Sequence, residues 1–528
     1  MKQENLDKNN LQSPIFNPQS MVNKGLPYVM HIDLNSCFAI IEQQANRLLR
    51  GRPVGVPAYD TPRGMIIAAS YEAKAKGIKL GVNVEQARSM APGIVIMTPD
   101  PAKYREAHRL FKEVLLEYSP DVTPKSIDEF VLDLSASLAH NPTVQGPTLY
   151  SNGVEGRRLR HNEAMKKIGL EIKSKIRERL GEWVTVNIGI APNRFLAKYA
   201  AGFGKPDGMT LIDHVNLRSK YEGMALVDLP GINTRFRARL REAGVYTPIE
   251  FLEADLTTLK KRVFKSINGY HWYMRLRGYE ADAIEFSQKS IGHQYALPHK
   301  TTDLDELSQL LMKLCEKAGR RLRKTKQYAS GIHLYLGFTS EPSHNNQLAI
   351  ANELPNYNDP INHRTSGTQK IMNSGFRATS TAASPISNPH TSVSPDAPAS
   401  FEHMYKMRSW HRGEKVYHRM YSTQDIYQAA KRLLYTAEIP ARVRILAVNV
   451  YGLAPLEPYQ TSLFDQNGDW GLKIGDSPYR AYETGKRISD AVDTINNRYG
   501  EFVVTPALMM EMQGKILDRI AFGQVQDI

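Results

Sequence analysis

Two carboxylate-bearing segments constrain this chain more than anything else in it. Asp33 closes the apolar run Tyr28-Val-Met-His-Ile-Asp33, and Asp128-Glu129 lies within Ser126-Ile-Asp-Glu-Phe-Val-Leu-Asp133. Each segment otherwise reads as a buried strand, where a charge is costly unless something pairs with it. A lone acid at a strand end is ordinarily just solvated, but an Asp-Glu pair inside a strand calls for another explanation. Three carboxylates brought together repel one another and so imply a cation. Hard divalent ions such as Mg²⁺ take oxygen ligands, and two of them about 3.5–4 Å apart drive phosphoryl and nucleotidyl transfer.

The rest of the chain says what such a centre would act on. At 528 residues, 41% of them hydrophobic, there is material for three or four domains with real cores. The net charge of +14 favours a polyanionic partner, nucleic acid ahead of an anionic membrane. No apolar run is long enough to span a bilayer, and Met1–Asn23 carries no apolar signal-peptide core. With only Cys37 and Cys315, neither a disulfide framework nor a Cys-based zinc site is expected, which points to the reducing cytoplasm.

Residues 27–134 alternate between strand patterns (28–34, 53–58, 65–69, 127–134) and helix patterns (37–47, 71–76, 84–90, 102–118). A long amphipathic helix is expected over 155–180, then a strand over 184–190 and a helix opening near Asn193. This half reads as α+β. Residues 222–282 read as short helices, and Leu229-Pro-Gly-Ile-Asn-Thr234 has the shape of a helix-hairpin-helix turn, whose amides can meet a phosphate. From Lys289 onward, strands (289–297, 329–338, 409–420, 442–451) and helices (303–323, 423–436) give the order β-α-β-β-α-β, which is ferredoxin-like. Residues 340–400 interrupt that order with a Ser-, Thr-, Pro- and Asn-rich stretch expected to be disordered, and a further helix is expected over 479–499.

These motifs together resemble the Y-family (translesion) DNA polymerases, in their DNA polymerase IV-like bacterial branch, from Pro27 to Phe338 and again over 405–452. The resemblance implies an α+β multidomain right hand: palm (27–36 and 99–221), fingers (37–98), helical thumb with the helix-hairpin-helix (222–283) and ferredoxin-like little finger (287–339 and 402–452). Around these it leaves a disordered N-terminus (1–26), a disordered insertion (340–401) and a clamp-binding segment with a C-terminal tail (453–528).

By position, Asp33, Asp128 and Glu129 match the family's catalytic metal ligands for two Mg²⁺ ions, with the Leu34 carbonyl as a further ligand, while Asp133 has no catalytic counterpart. Phe38 falls at the steric gate that excludes ribose, and Cys37 stands where an aromatic is more common. Tyr71, Lys74 and Lys205 match residues touching the incoming deoxynucleoside triphosphate, with Lys74 replacing the usual Arg. Gly231 and Asn233 in the thumb, and Lys289, Ser290, Arg320, Arg321 and Arg412 in the little finger, would grip primer–template DNA; Asn233 replaces a Gly and is expected to keep the turn by taking a left-handed conformation. Gln460-Thr-Ser-Leu-Phe464 fits the peptide that docks on a β-type sliding clamp, through Gln460, Leu463 and Phe464. The implied protein is a monomer that needs no membrane and performs low-fidelity, low-processivity synthesis without proofreading. The alternatives are a non-catalytic accessory paralogue that binds only DNA or the clamp, which would be expected to lose the acids, and another palm-fold nucleotidyl enzyme such as a cyclase.

Overall fold

The computed structural model describes residues 22–138, 153–282, 288–339, 409–456, 478–500 and 503–512. Most of the expected N-terminal and inserted disordered segments, and the clamp peptide with Gln460, Leu463 and Phe464, lie outside the described residues. The chain forms two compact units, one reaching Phe286 and one running from Ser287 to Leu517.

The first unit begins with β1 (Val29–Leu34), α1 (Cys37–Ala45), β2 (Val54–Pro57), β3 (Ile66–Ala69), α2 (Tyr71–Ala75), α3 (Val84–Met90) and β4 (Val95–Ile96). It continues through α4 (Pro101–Leu116), β5 (Val122–Pro124), β6 (Glu129–Asp133), α5 (Ser135–Leu138), α6 (Gly153–Leu180), β7 (Val186–Ala191), α7 (Arg194–Ala200) and β8 (Met209–Leu211). Four helices close it: α8 (Leu217–Tyr221), α9 (Thr234–Glu242), α10 (Pro248–Glu253) and α11 (Asn268–Leu276).

Its main sheet has the order β5-β6-β1-β7-β8, with β1 antiparallel to both of its neighbours. Side-chain alternation gives the sheet two distinct faces. Met30, Ile32 and Leu34 join Phe130, Leu132, Ile188 and Ile190 in a core with Phe111 of α4 and Ile172 of α6. On the other face, Val29, Val131 and Ala191 pack with α7 and the later helices. A three-stranded sheet, β3-β2-β4, makes a smaller core with Ala73 of α2 and with Val84 and Ala87 of α3.

Helix starts follow their caps. The Asp100 side chain accepts from the Lys103 amide at 3.1 Å ahead of α4, whose first residue is Pro101. Asn193 does the same for α7, accepting from the Leu196 amide at 2.8 Å.

The structure corrects the strand expected over 127–134. β6 begins at Glu129, and Asp128 lies in the four-residue loop that joins β5 to β6. That loop is closed by the Lys125 amide donating to the Glu129 carbonyl at 2.8 Å. β5 has no clear sequence signal because it is only Val122-Thr-Pro124, and Pro lacks a ladder donor.

In the second unit, β9 (Ser290–Thr301), α12 (Leu304–Lys324), β10 (Gln327–Phe338), β11 (Ser409–Met420), α13 (Thr423–Tyr435) and β12 (Val443–Tyr451) follow the expected β-α-β-β-α-β order, and β13 (Ala454–Pro455) pairs with β10. The antiparallel sheet runs β11-β10-β12-β9, so each helix-linked pair of parallel strands is split by a strand inserted between its members. The tail helix α14 (Pro478–Tyr499) is held through Asp493, which receives the Arg323 guanidinium at 2.6 and 2.9 Å.

Candidate active site

Register places Asp33 of β1 directly across from Glu129 of β6 on one side and Asn187 of β7 on the other. Directly opposed residues have Cβ atoms about 4.5–5.5 Å apart on one face. The acids therefore form a row on the α7 face of the sheet, away from the main core. Asp128 joins them through backbone, since the Leu34 amide donates to its carbonyl at 2.8 Å. Its carboxylate accepts the Ser126 hydroxyl at 2.5 Å.

Each remaining acid of the row has an ammonium counter-ion. Lys205 pairs with Asp33, and Lys198 Nζ lies 2.6 Å from Glu129 Oε2. The buried His31, next in the row below, approaches the same Glu129 oxygen at 3.7 Å, an ion-pair distance too long for a hydrogen bond. Burial pushes the Asp128 carboxyl up to about 6; the Ser126 hydroxyl opposes the rise, and the charges of Asp33 and Glu129 add to it. At Glu129 burial also pushes upward, but His31 and Lys198 prevail and hold it at about 2.

Among the described residues, no group of three His, Cys, Asp or Glu side chains is arranged to hold a metal ion. The donor chemistry nonetheless fits a divalent cation: hard carboxylate oxygens lie in adjoining register positions, and positive charge is drawn to two of the three.

A buried amide network builds the wall that carries Lys205. Asn35 Nδ2 donates to Asn187 Oδ1 at 3.2 Å, while Asn35 Oδ1 accepts from the Asp207 amide at 2.8 Å. Asn187 in turn donates to the Ala201 and Phe203 carbonyls at 3.1 and 2.8 Å, fixing the glycine-rich loop beside the row. Across from that loop, Lys74 Nζ bonds Ser36 Oγ at 2.7 Å and sits 4.5 Å from the centre of the Tyr71 ring. Burial lowers the Lys74 pKa, and the nearby Lys205 lowers it further. Tyr71, Lys74 and Lys205 thus gather around Asp33.

Phe38 is wholly buried, stacked on Tyr104 with ring centres 4.4 Å apart. No part of the ring is open to solvent, so a sugar would reach it only if a neighbour shifted. Cys37 is buried as well, and burial raises its thiol pKa, as suits a packing residue. Asp133 accepts from the Ser135 amide at 2.9 Å and so serves a local turn.

The residues expected to touch DNA are placed less uniformly. Gly231 takes the left-handed turn, with φ of 92°. Asn233 does not: at φ of −95° it is the cap of α9, accepting from the Phe236 amide at 3.0 Å, because helix initiation uses its side chain rather than its backbone tolerance. Lys289 and Ser290 are exposed at the start of β9. Arg320 is not a free groove-lining cation, since it bonds Asn497 Oδ1 at 3.1 Å and lies 4.0 Å from Asp493. Arg321 ties α12 to β9 through the Gly292 carbonyl at 3.0 Å. Arg412, across from Leu334, and His411, across from Tyr335, are both exposed on β11.

Lys198, His31, Asn35 and Asn187 escaped the sequence reading. Asn187 was visible in principle, as an amide inside the apolar strand Val186–Ala191. Lys198 was visible as the lone charge among the buried residues Phe195–Ala200. Nothing local says what either one meets.

A model of the impB/mucB/samB family matches residues 32–202, and the model of that family's C-terminal domain matches residues 288–463. The DNA polymerase IV of Moorella thermoacetica is 28% identical over 497 residues, covering 92% of this chain and 97% of its own. DNA polymerase IV 1 of Bacillus subtilis is 28% identical over 336 residues, covering 63% of this chain and 75% of its own. Among solved structures, a Y-family DNA polymerase chimera of Dbh and Dpo4 aligns with a TM-score of 0.57 at 20% identity, covering 81% of this chain and 99% of its own, a likeness of fold.

Proposed function

The chain belongs to the impB/mucB/samB family, the Y-family polymerases, and from that membership we infer that it is a DNA-directed DNA polymerase for translesion synthesis, extending a primer 3′-hydroxyl with deoxynucleotides at low fidelity and low processivity and without proofreading. The observation that carries the reading is the cross-strand pair Asp33 and Glu129 with Asp128 bonded beside them, next to two lysines suited to a triphosphate.

The family implies a divalent metal, and in this reading Asp33, Asp128, Glu129 and the Leu34 carbonyl hold two Mg²⁺ ions. When bound, such ions lower the pKa of the primer hydroxyl and neutralise the triphosphate and the leaving pyrophosphate. Lys205, here on Asp33, and Lys74, here on Ser36, turn their ammonium groups to the phosphates, offsetting the charge that builds on the leaving group. Tyr71 supports Lys74 from below its ammonium. Phe38 backs the sugar and disfavours a 2′-hydroxyl.

The Gly231 turn and the exposed start of β9 at Lys289 and Ser290 contact the DNA backbone, while Gln460, Leu463 and Phe464 dock on a β-type sliding clamp. The protein acts in the cytoplasm as a monomer; among the described residues no helix is long and apolar enough to cross a membrane.

Primer extension with Mg²⁺ tests the core of this reading. The wild-type chain should add templated deoxynucleotides, and an Asp128→Ala, Glu129→Ala double variant should add none while still binding primer–template. Retained incorporation by the double variant would sink the assignment.

A further inference from the structure

On the sheet of the second unit, two histidines meet. His333 lies on β10 and His411 on the edge strand β11. Register sets His333 opposite Gly413 and His411 opposite Tyr335, so the two imidazoles are diagonal neighbours on one face. Diagonal positions are about 7–8 Å apart, a gap that only aromatic and long side chains close. The glycine makes the reach possible. A Cβ at Gly413 would lie 3.3 Å from His333 Cδ2, so the imidazole leans over space that a larger residue would fill. The ring centres are 5.5 Å apart with planes tilted by 40°, and His333 Nε2 stands 3.4 Å from His411 Nδ1.

That separation is long for a hydrogen bond, but it suits another use. Two imidazole nitrogens bound at about 2.0–2.1 Å to one tetrahedral Zn²⁺ are about 3.4 Å from each other. Ligation requires neutral rings, and at His333 burial lowers the pKa, with the His411 charge lowering it further. A proton lying between the rings can move to the far nitrogen of its own ring, so chelation by the neutral pair releases no net proton. His411 is exposed and His333 half-buried, which leaves water free to supply the remaining ligands. Among the described residues no third His, Cys, Asp or Glu completes the group, so the affinity is that of a two-point chelate. Imidazole donors suit Zn²⁺ and its transition-metal neighbours, whereas Mg²⁺ prefers oxygen.

We propose that His333 and His411 form a surface site for a Zn²⁺-like cation, which staples the edge strand β11 to β10. β11 is bonded to the sheet along one side only, so a metal link across that ladder adds restraint where the strand has a single neighbour. The site shares neither residues nor donor type with the acidic row, and it stands whether or not the chain is a polymerase.

The test is a calorimetric titration of the full chain with Zn²⁺ in millimolar Mg²⁺, which competes for the carboxylates and not for the imidazoles. Wild type should show a micromolar Zn²⁺ site that is weakened at least about tenfold in His333→Gln and equally in His411→Gln, with the double variant little worse than either, since neither ring chelates alone. In hydrogen exchange, Zn²⁺ should slow the ladder-bonded amides of Ser409–Met420 in wild type and leave them unchanged in both variants. No such site in wild type, or one that both variants retain, overturns the proposal. Zn²⁺ uptake that is lost in the variants but never slows exchange overturns the staple.

Discussion

Phe38 is fully buried and stacked on Tyr104, so any role at the sugar is superimposed on a role in the core. Truncation to Ala would confound the two by opening a large cavity. Phe38→Leu should cost only about 1–2 kcal/mol and still raise the ratio of ribonucleotide to deoxynucleotide incorporation. A lowered urea midpoint with an unchanged ratio would make Phe38 a core residue and nothing more. Asp128 presents the opposite balance. Burial raises its carboxyl to about 6, so its charge weakens the fold once the pH exceeds the unfolded value near 4. Asp128→Asn keeps an acceptor for Ser126 and removes that charge. At pH 7 it should hold or raise the melting temperature while abolishing synthesis, and a clear drop in melting temperature would contradict this account.

Among the elements, α7 depends on one missing side chain in the strand beneath it. A Cβ at Gly189 would lie 2.0 Å from the Ala197 carbonyl oxygen and 2.2 Å from the Ala201 amide nitrogen. Gly189→Ala should therefore push α7 off the sheet, costing about 2 kcal/mol in urea unfolding and displacing Lys198 from Glu129. An unchanged midpoint would mean that α7 slides without penalty. The longer strands were legible as short apolar runs, whereas β4, β5 and β8, of two or three residues each, were not. Asp128 continues the apolar pattern of 127–134 but belongs to a loop. An apolar run reports which residues want burial, not where a ladder begins. The tail helix was likewise legible, while its anchor at Asp493 depends on Arg323, 170 residues away.

For the whole molecule, the formal charge of +14 is distributed unevenly in function. Arg320, Arg321 and Arg323 have partners inside the second unit, so the charge run at the end of α12 is largely structural. In the proposed reading, low intrinsic processivity is what docking of Gln460, Leu463 and Phe464 on a clamp would offset. A Leu463→Ala, Phe464→Ala variant should extend a bare primer like wild type but gain nothing from a loaded clamp, and an unchanged clamp response would refute the assignment. The sequence by itself determined where the longer strands and helices lie, which acids are too apolar in context to be ornamental, and which family the chain resembles, because hydrophobic period and motif spacing are local properties of the chain. Only the tertiary structure decided that Asp33, Glu129 and Asn187 share one row, that Lys205 reaches Asp33 across 172 residues, and that Lys198 and His31 converge on Glu129. Those relations depend on strand register and on the face each helix covers, which are set by pairing between distant segments and leave no mark at either position alone.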